Sequence, residues 1–299
     1  MIKKIKAAIK NPRKILIRIF RFKVFSIIPD GLFLKIMYRL YIGEKLNLED
    51  PKTFCEKLQW LKLNDRKSEY SIYVDKYAVR SYIAKTIGEE YLIPMIAVYD
   101  NVDDIQWEYL PNRFVLKCTH GSNSNIICTD KNQLNINDSR NKLKKWLKQN
   151  WFWYGREWPY KNVKPGIICE EFISNNNEPP EDYKVMCFNG KAKFIQVHLH
   201  RFSSNYVCDN YDTKWNKMTL SKKKCGLPNS NLMIPKPAFL EQMICLSEHL
   251  SRDMYHTRID WYIVGDKLYF GEITFYSGSG FSQYDNVADN LLLGSWISI

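Results

Sequence analysis

The spacing of apolar residues changes near residue 90 of this 299-residue chain, and that change constrains the fold more than any other feature. Before it, apolar side chains recur at the three- and four-residue intervals of amphipathic helices. After it, helical patterns at 138–150 and 237–250 interrupt short β-rich runs, which lie at 91–99, 114–116, 126–128, 167–173, 183–188 and 193–200. A helical front followed by strands mixed with helices predicts an α+β fold.

Local signals add a helix start and two β-hairpins. A helix is expected to begin at Asp50, because Pro51 would then occupy the first helical position. Asn189-Gly190 separates two apolar runs and suits the positive φ angles of a type I′ turn. The second hairpin joins residues 258–264 to residues 268–273.

The composition, with 45% hydrophobic and 25% charged residues, indicates an ordered globular protein. The eight cysteines form no Cys-x-x-Cys pair and show no zinc-like spacing, so reduced thiols are expected. The start shows no signal-peptide pattern, and no segment reaches the roughly 18 uninterrupted apolar residues of a membrane span. We therefore expect a cytoplasmic protein.

The net charge of +12 favours anionic partners, and part of it lies in a basic arm at residues 1–28. Basic residues alternate there with isoleucine and phenylalanine, and Pro12 is expected to divide the arm into two short helices. Two interpretations stay open. Residues 1–25 could lie on the inner, anionic face of the membrane, or the arm could pack on the next lobe. Nucleic acid is not an expected partner, because no recognised nucleic-acid motif is present.

Residues 117–125 place a lysine and a small polar loop between two apolar runs. A strand, a loop and a returning strand can lay backbone N–H groups over phosphates, while Lys117 offsets the phosphate charge. Gly121 and Ser122 lie in this loop. The segment is not a P-loop, since Gly-x-x-x-x-Gly-Lys is absent. Taken alone, an ordinary hairpin turn is the commoner explanation.

Carboxylates follow in two further places. An apolar run ends at Glu170 and Glu171, where a strand end can offer backbone groups and a carboxylate to a purine; plain surface charges are the alternative. Asp260 and Glu272 lie on the two arms of the second hairpin. Mg²⁺ binds through one or two carboxylates plus substrate phosphates, and Arg258 can stabilise charge on a transferring phosphoryl group. A cross-strand ion pair is the alternative.

The hairpin's loop decides whether Asp260 and Glu272 can share a metal. A regular two-residue loop at Gly265-Asp266 would place the two carboxylates on opposite faces, because side chains alternate along a strand. We therefore predict either an odd-length loop or a two-residue loop with a compensating β-bulge, and both carboxylates facing the cleft.

Three weaker candidates remain. His198 and His200 are separated by one residue on a predicted strand, so their side chains would share a face. They could bind a metal or an acidic substrate there, or they could serve a structural role. The aromatic run at residues 151–160 could stack on a sugar or pack between lobes. Arg201 could clamp a carboxylate or lie on the surface.

The order of these parts resembles the TupA-like (teichuronopeptide-biosynthesis-like) family of ATP-grasp proteins, which is associated with capsule and O-antigen functions. The motifs that carry the resemblance lie at residues 50–54, 56–60, 75–77, 80, 117–122, 182–185, 187–191, 211–212 and 215. The resemblance implies an ATP-grasp fold, with the nucleotide between two α+β lobes behind a helical N-terminal region. The expected units are 1–28, 29–110, 111–173 and 174–299.

The resemblance also implies roles for individual residues, with ATP and Mg²⁺ as cofactors. The expected nucleotide contacts are the phosphate-binding Lys76 and Lys117, the loop residues Gly121 and Ser122, the adenine contact Glu170 with Glu171, the hinge residues Phe172 and Ile173, and the ribose carboxylate Asp182 with Lys184. The expected magnesium ligands are Asp260, Glu272 and Thr274, with Arg258 near the γ-phosphate. Thr274 departs from the asparagine that many members carry.

The activity implied by the resemblance is an ADP-forming carboxylate–amine ligase. Its substrates would be an acidic sugar or glycan and an amino acid or other amine, joined as an amide through an acyl phosphate. Two rival functions stay open. One is a glycosyltransferase, which would not need ATP, and the other is a non-catalytic scaffold at the membrane surface. The sequence lacks a clear Asp-x-Asp sugar-nucleotide motif.

Overall fold

The computed structural model describes residues 12–20, 23–175, 178–200, 205–220 and 233–299. Arg201 and residues 1–11 of the basic arm lie outside the described residues. The α-helices within these ranges are α1 Pro12–Ile19, α2 Asp30–Tyr41, α3 Phe54–Asn64, α4 Tyr70–Val74, α5 Ala78–Thr86, α6 Ile136–Leu147, α7 Phe152–Gly155, α8 Leu240–Leu250 and α9 Val287–Ser295. Short 3₁₀ turns lie at Lys23–Ile27, Glu89–Tyr91, Val102–Asp104, Trp107–Tyr109, Lys131–Gln133, Trp158–Tyr160 and Ser277–Gly280.

Two antiparallel sheets form the frame. The strands are β1 Met95–Tyr99, β2 Phe114–Cys118, β3 Asn125–Cys128, β4 Ile167–Glu171, β5 Glu181–Phe188, β6 Lys191–Leu199, β7 Val207–Asp212, β8 Lys217–Met218, β9 His256–Val264 and β10 Lys267–Thr274. The small sheet has the order β1-β4-β2-β3, and the large sheet has the order β10-β9-β5-β6-β7-β8. Helices and antiparallel sheets together confirm the predicted α+β class.

Each sheet has its own buried core. In the small sheet, Phe114 and Leu116 of β2 pack with Leu143 of α6. The core of the large sheet includes Trp261 of β9 and Met243 of α8, and the helices of the N-terminal region contribute to the same cluster. The boundaries expected at residues 28, 110 and 173 stay predictions.

The expected helix start at Asp50 is wrong. Helix α3 begins at Phe54, and Thr53 is its N-cap. The Thr53 hydroxyl accepts the Glu56 N–H at 3.2 Å, and the Glu56 carboxylate accepts the Thr53 N–H at 3.0 Å. This reciprocal capping box satisfies two N-terminal N–H groups at once, which a proline at the first position does not do.

The predicted turn at Asn189-Gly190 is confirmed. It joins β5 to β6, with φ angles of 46° and 74°. Neither β7 nor β8 was predicted, because β7 contains Asp209, Asn210 and Asp212 and therefore does not form an apolar run.

The described part of the basic arm packs on the protein. Ile17 and Phe20 contact the large core, and Arg156 donates hydrogen bonds to the carbonyls of Phe25 and Ile28 at 3.1 and 3.3 Å. These contacts favour the packing interpretation for residues 12–20 and 23–28, while Leu16 remains 42% exposed. Membrane contact through residues 1–25 stays a prediction. Among the described residues, no helix combines the length and hydrophobicity needed to cross a bilayer.

The expectation of reduced thiols is wrong at one position. Cys208 is disulfide-bonded, whereas six other cysteines of the described residues are outside any disulfide bond: Cys55, Cys118, Cys128, Cys169, Cys187 and Cys245. Pairing was missed because sequence spacing does not reveal which cysteines approach one another in the fold.

Candidate functional site

One face of the small sheet borders a cleft. Along β2 the buried Phe114 and Leu116 face the core, so Val115 and Lys117 face the opposite side. Val115 lies opposite Glu170 on β4, and Lys117 lies opposite Asn125 on β3. The face opposite the core therefore carries both the predicted phosphate lysine and the predicted hinge carboxylate.

The β9–β10 hairpin has a two-residue turn and a bulge. Val264 pairs with Lys267, and the register shifts between Phe270 and Glu272 so that Glu272 lies opposite Asp260. This confirms the second of the two predicted geometries. A Cβ atom at Gly271 would lie 3.0 Å from both the Asp260 carbonyl oxygen and the Tyr262 ring. Glycine therefore allows the close approach that the bulge requires.

A row of polar side chains crosses the face of the large sheet that carries Asp260 and Glu272. Asp260 lies opposite Glu272 on one side and Lys184 on the other. Lys184 in turn lies opposite Gln196, which lies opposite Asn210 on β7. Since cross-strand partners share a face, these five side chains lie on one side of the sheet.

Lys184 holds the carboxylates of Asp182 and Asp260 together. Its Nζ donates to the Asp182 carboxylate at 2.8 Å and also to the Asp260 carboxylate. The side chains of Lys184, Asp182 and Asp260 are 5%, 4% and 2% exposed. Buried charges of this kind require paired and hydrogen-bonded partners, and the lysine supplies them.

Arg258 links the two predicted magnesium ligands. Its guanidinium donates to Asp260 at 2.6 and 2.8 Å and to Glu272 at 2.7 Å. Burial acts to lower the pKa of Arg258, but Asp260 and Glu272 raise it above its usual value. The guanidinium therefore stays charged. Thr274 donates its hydroxyl hydrogen to Glu272 at 3.2 Å, which places this predicted ligand beside the carboxylate.

Glu170 is held by two cations. Arg80 Nη1 and Lys117 Nζ donate to its carboxylate at 2.9 and 2.6 Å. Lys76 lies nearby and donates to the Gly121 carbonyl oxygen. Burial lowers the pKa of Lys76, and Glu272 acts in the opposite direction. Three cations and one carboxylate therefore leave this side of the cleft with an excess of positive charge suited to phosphates.

Two adjoining cavities occupy the cleft. The smaller one is lined by Lys76, Lys117, Glu170 and Glu272, and thus contains residues of both sheets. The larger cavity, about 250 Å³, has an apolar wall formed by Ile93, Val115, Ile127, Phe172 and Ile173, and a polar edge formed by Glu171, Asp182, Tyr262 and His200. Arg113 lies over the Phe172 ring at 4.5 Å. An apolar slot beside a basic cavity has the form of a nucleotide site.

The donor set suits Mg²⁺ that is shared with phosphates. Among the described residues, no group of three or more His, Cys, Asp and Glu side chains could hold a metal unaided. Asp260 and Glu272 instead provide two hard oxygen donors, and the hydrogen bonds found within the described chain fall on the Oε1 atom of Glu272. Mg²⁺ commonly completes such a pair with phosphate oxygens and water.

The predicted site residues separate into groups. Lys117, Glu170 and Lys76 meet at the basic cavity, whereas Glu171, Phe172, Ile173 and Asp182 line the apolar one. The adenine role expected for Glu170 stays a prediction, as do the other roles. Gly121 and Ser122 lie in the loop after β2, and Ser122 borders a third cavity.

The two histidine candidates differ from each other. His198 is buried and bonded to Tyr206 at 2.6 Å and Gln196 at 3.1 Å, which favours its structural interpretation. His200 follows the end of β6 with a φ of 51° and so leaves the strand. No functional role was predicted for Arg80 or Tyr262. Arg80 follows the predicted Lys76 by four residues, a helical spacing that was the available signal.

A family model described as TupA-like ATPgrasp matches residues 56–298. A search of curated proteins found no match. ATP and Mg²⁺ are the cofactors typical of the ATP-grasp fold.

Several solved structures are similar at low identity. A D-alanine–D-alanine ligase from Bacillus anthracis, complexed with ATP, is 14% identical, with a TM-score of 0.38 over 68% of this chain and 55% of that chain. An N5-carboxyaminoimidazole synthase from Aspergillus clavatus is 13% identical, with a TM-score of 0.39 over 72% and 46%. A D-alanine–D-alanine ligase from Helicobacter pylori is 15% identical, with a TM-score of 0.40 over 81% and 68%. The chain thus spans about half the length of the first two, and these distant likenesses carry no argument about substrate.

Proposed function

Because this chain belongs to the TupA-like ATP-grasp family, we propose that it is an ADP-forming carboxylate–amine ligase that uses ATP and Mg²⁺. One observation carries the proposal. The β9–β10 bulge brings Asp260 and Glu272 together on the face of the large sheet that borders the basic cavity of Lys76 and Lys117. Acidic metal ligands next to phosphate-binding lysines are the arrangement that phosphoryl transfer needs.

The nucleotide would lie across the two cavities. Its purine would occupy the apolar cavity beside Phe172 and Ile173, and Asp182 would accept hydrogen bonds from the ribose. The phosphates would lie near Lys76 and Lys117, with Gly121 and Ser122 of the loop closing over them. Displacing Lys117 from Glu170 would cost one ion pair, and the triphosphate would supply a stronger one.

The reaction would proceed in two balanced steps. An oxygen of the substrate carboxylate attacks the γ-phosphorus, the bond to the β-phosphate oxygen breaks, and ADP leaves. The amine nitrogen then attacks the carbonyl carbon of the acyl phosphate, the carbon–oxygen bond breaks, and phosphate leaves with the proton that the nitrogen loses as the amide forms. Arg258 stabilises charge that develops on the transferring group, since a fixed donor in a water-poor site costs little reorganisation. Mg²⁺, held by Asp260 and Glu272 beside Thr274, would supply positive charge next to the phosphates.

The proposed acceptor is a uronic acid of a capsule or O-antigen repeat, and the proposed co-substrate is an amino acid or another amine. The family resemblance supports this substrate pair, and the net charge of +12 is compatible with an acidic glycan. We further propose that the enzyme acts in the cytoplasm, at the inner face of the membrane, where the lysines of residues 1–11 would contact anionic lipid.

An isotope experiment tests the mechanism directly. ADP release would be measured with Mg-ATP against a matrix of uronic acids and amines, and the active pair would then be run with the carboxylate labelled in both oxygens with ¹⁸O. One labelled oxygen should appear in the released phosphate. Release of unlabelled phosphate would contradict an acyl phosphate, and stabilisation by UDP-sugars without any effect of ATP would favour a glycosyltransferase.

A further inference from the structure

A third cavity, which we call the aromatic groove, lies between the loop after β2 and the Ser277–Gly280 turn after β10. It has a volume of about 380 Å³ and is lined by Tyr41, Trp151, Tyr154, Glu157, Ser279 and Phe281. Ser122 and Asn123 of the loop form one border. A Cβ atom at Gly121 would lie 3.4 Å from the Trp151 ring, so the groove begins where the proposed phosphate loop ends.

The groove has two aromatic walls. The rings of Trp151 and Tyr154 meet edge to face with centroids 5.3 Å apart. The rings of Tyr41 and Phe281 stack with centroids 4.7 Å apart and an interplanar angle of 12°. Aromatic faces attract both the C–H surface of a pyranose and a cationic ammonium group. Trp151 and Tyr154 of the predicted aromatic run thus line a cavity of substrate size, whereas Phe152 and Tyr160 of the same run pack in the large core.

Glu157 supplies a carboxylate to the groove. The residue is 7% exposed. Burial raises its pKa, while Lys62 and hydrogen bonds from the Ser279 and Trp151 side chains act to lower it. Lys62 directs its ammonium toward Gln59 Oε1 at 2.9 Å and the Ser279 carbonyl at 2.8 Å, behind the groove wall. Among the described lining residues, the charge therefore comes from Glu157 alone.

The groove lies close to the proposed reaction centre. Arg258 and Ser277 line one cavity, and the turn that begins at Ser277 lines the groove through Gly278 and Ser279. The neighbouring buried Tyr160 feels the charges of Glu157, Glu272, Arg258 and Asp260 together. A ligand bound at Glu157 would consequently have a short path to a carboxylate activated beside Arg258.

We propose that the aromatic groove binds the amine co-substrate, and that this co-substrate is an amino sugar whose ammonium group contacts Glu157 and whose ring lies against Trp151 and Tyr154. The proposal rests on the ligase function proposed above. A uronic acid fits less well, because its carboxylate would face that of Glu157. Ser122, Asn123 and Gln149 at the border offer hydrogen bonds to hydroxyl groups.

The geometry also gives Glu157 a chemical role. An ammonium group must lose a proton before its nitrogen can attack. Glu157 accepts that proton, the free amine attacks the acyl phosphate, and phosphate leaves as the amide forms. The protonated carboxyl group then returns its proton to water.

Ligand-observed saturation-transfer NMR tests the groove without turnover. The full chain would be titrated with D-glucosamine, N-acetyl-D-glucosamine and D-glucuronate, which share a ring but differ in charge. Glucosamine should bind about tenfold more tightly than the other two, because a single charge-assisted contact contributes that much. Tyr154→Ala should weaken glucosamine binding by about five- to thirtyfold. Tyr109→Ala, at a tyrosine that is 79% exposed and outside the groove, is the matched control.

The outcomes separate the groove from the nucleotide site. Stabilisation by Mg-ATP, measured in parallel, should be the same in both variants, and its absence from the wild-type protein would instead contradict the proposed ligase. Glu157→Gln should remove the preference for glucosamine over N-acetylglucosamine; if that variant does not fold, Tyr154→Ala decides. Equal binding of the three sugars, or equal glucosamine affinity in Tyr154→Ala and Tyr109→Ala, would overturn the proposal.

Discussion

Replacing Lys184 with methionine should strongly destabilise the folded protein. The ammonium group of Lys184 lies between Asp182 and Asp260, and all three side chains are at most 5% exposed. Methionine has a similar length but no charge, so the substitution removes the ammonium group that donates to Asp182. Asp260 keeps its two hydrogen bonds from Arg258.

The size of the effect follows from the difference between Asp182, which loses its bond from Lys184, and Asp260, which keeps its bonds from Arg258. Removing one partner of a buried ion pair costs about 3–5 kcal/mol, because the remaining charge is left uncompensated. Since Arg258 still neutralises Asp260, we expect the lower end, about 3 kcal/mol. For a protein of this size, that loss corresponds to a decrease of about 6 °C in the melting temperature. Adding Asp182→Asn should recover part of the lost free energy of unfolding, since the second substitution removes the carboxylate charge of Asp182.

Urea unfolding followed by tryptophan fluorescence would measure the change in the free energy of unfolding. Lys191→Met is the matched control, because Lys191 lies in the same sheet and pairs with Glu248 at 2.9 Å, but its side chain is 70% exposed. The control should show no measurable change. If Lys184→Met were as stable as Lys191→Met, Lys184 would not be the buried bridge described above.

Three further predictions concern the site, the pH dependence and the arm. Lys117→Ala and Glu272→Gln should each lower kcat about 100-fold or more while the circular dichroism spectrum stays native, and near-normal turnover would place the phosphate site elsewhere. Burial lowers the pKa of Lys62 from 10.5 to about 7, so between these values the unfolded chain binds a proton that the folded chain does not. Stability should therefore rise with pH across this window, by at most about 1.4 kcal/mol per pH unit, and a slope that persists in Lys62→Met would contradict the assignment. Deleting residues 1–11, which contain four lysines, should weaken salt-sensitive binding to anionic vesicles without changing the melting temperature; unchanged vesicle binding would remove the membrane proposal.

Local rules predicted the hairpins well because parity and turn chemistry act over a few residues. Alternation along a strand required either an odd loop or a bulge between Asp260 and Glu272, and the chain adopts the bulge at Gly271. Asn189-Gly190 folds as its φ preferences require. The start of α3 was missed because the capping box of Thr53 and Glu56 competes with a proline signal just upstream.

Contacts between distant segments were beyond the reach of sequence patterns. Glu170 and Arg80 are 90 residues apart and meet only in the folded chain. Glu157 lies inside an aromatic run, where periodicity shows neither its burial nor the cavity that it lines. Such pairings depend on which faces the sheets present to each other.

The bulge at Gly271 has a consequence for how relatives of this chain can vary. One extra residue in the Gly265-Asp266 turn would undo the facing of Asp260 and Glu272 unless a residue such as Gly271 were lost between the turn and the pair. Relatives that keep both carboxylates should therefore carry either a two-residue turn with the glycine or a three-residue turn without it. Insertions and deletions at these two places, six residues apart, would be inherited as compensating events, and their joint occurrence could be read from sequences alone.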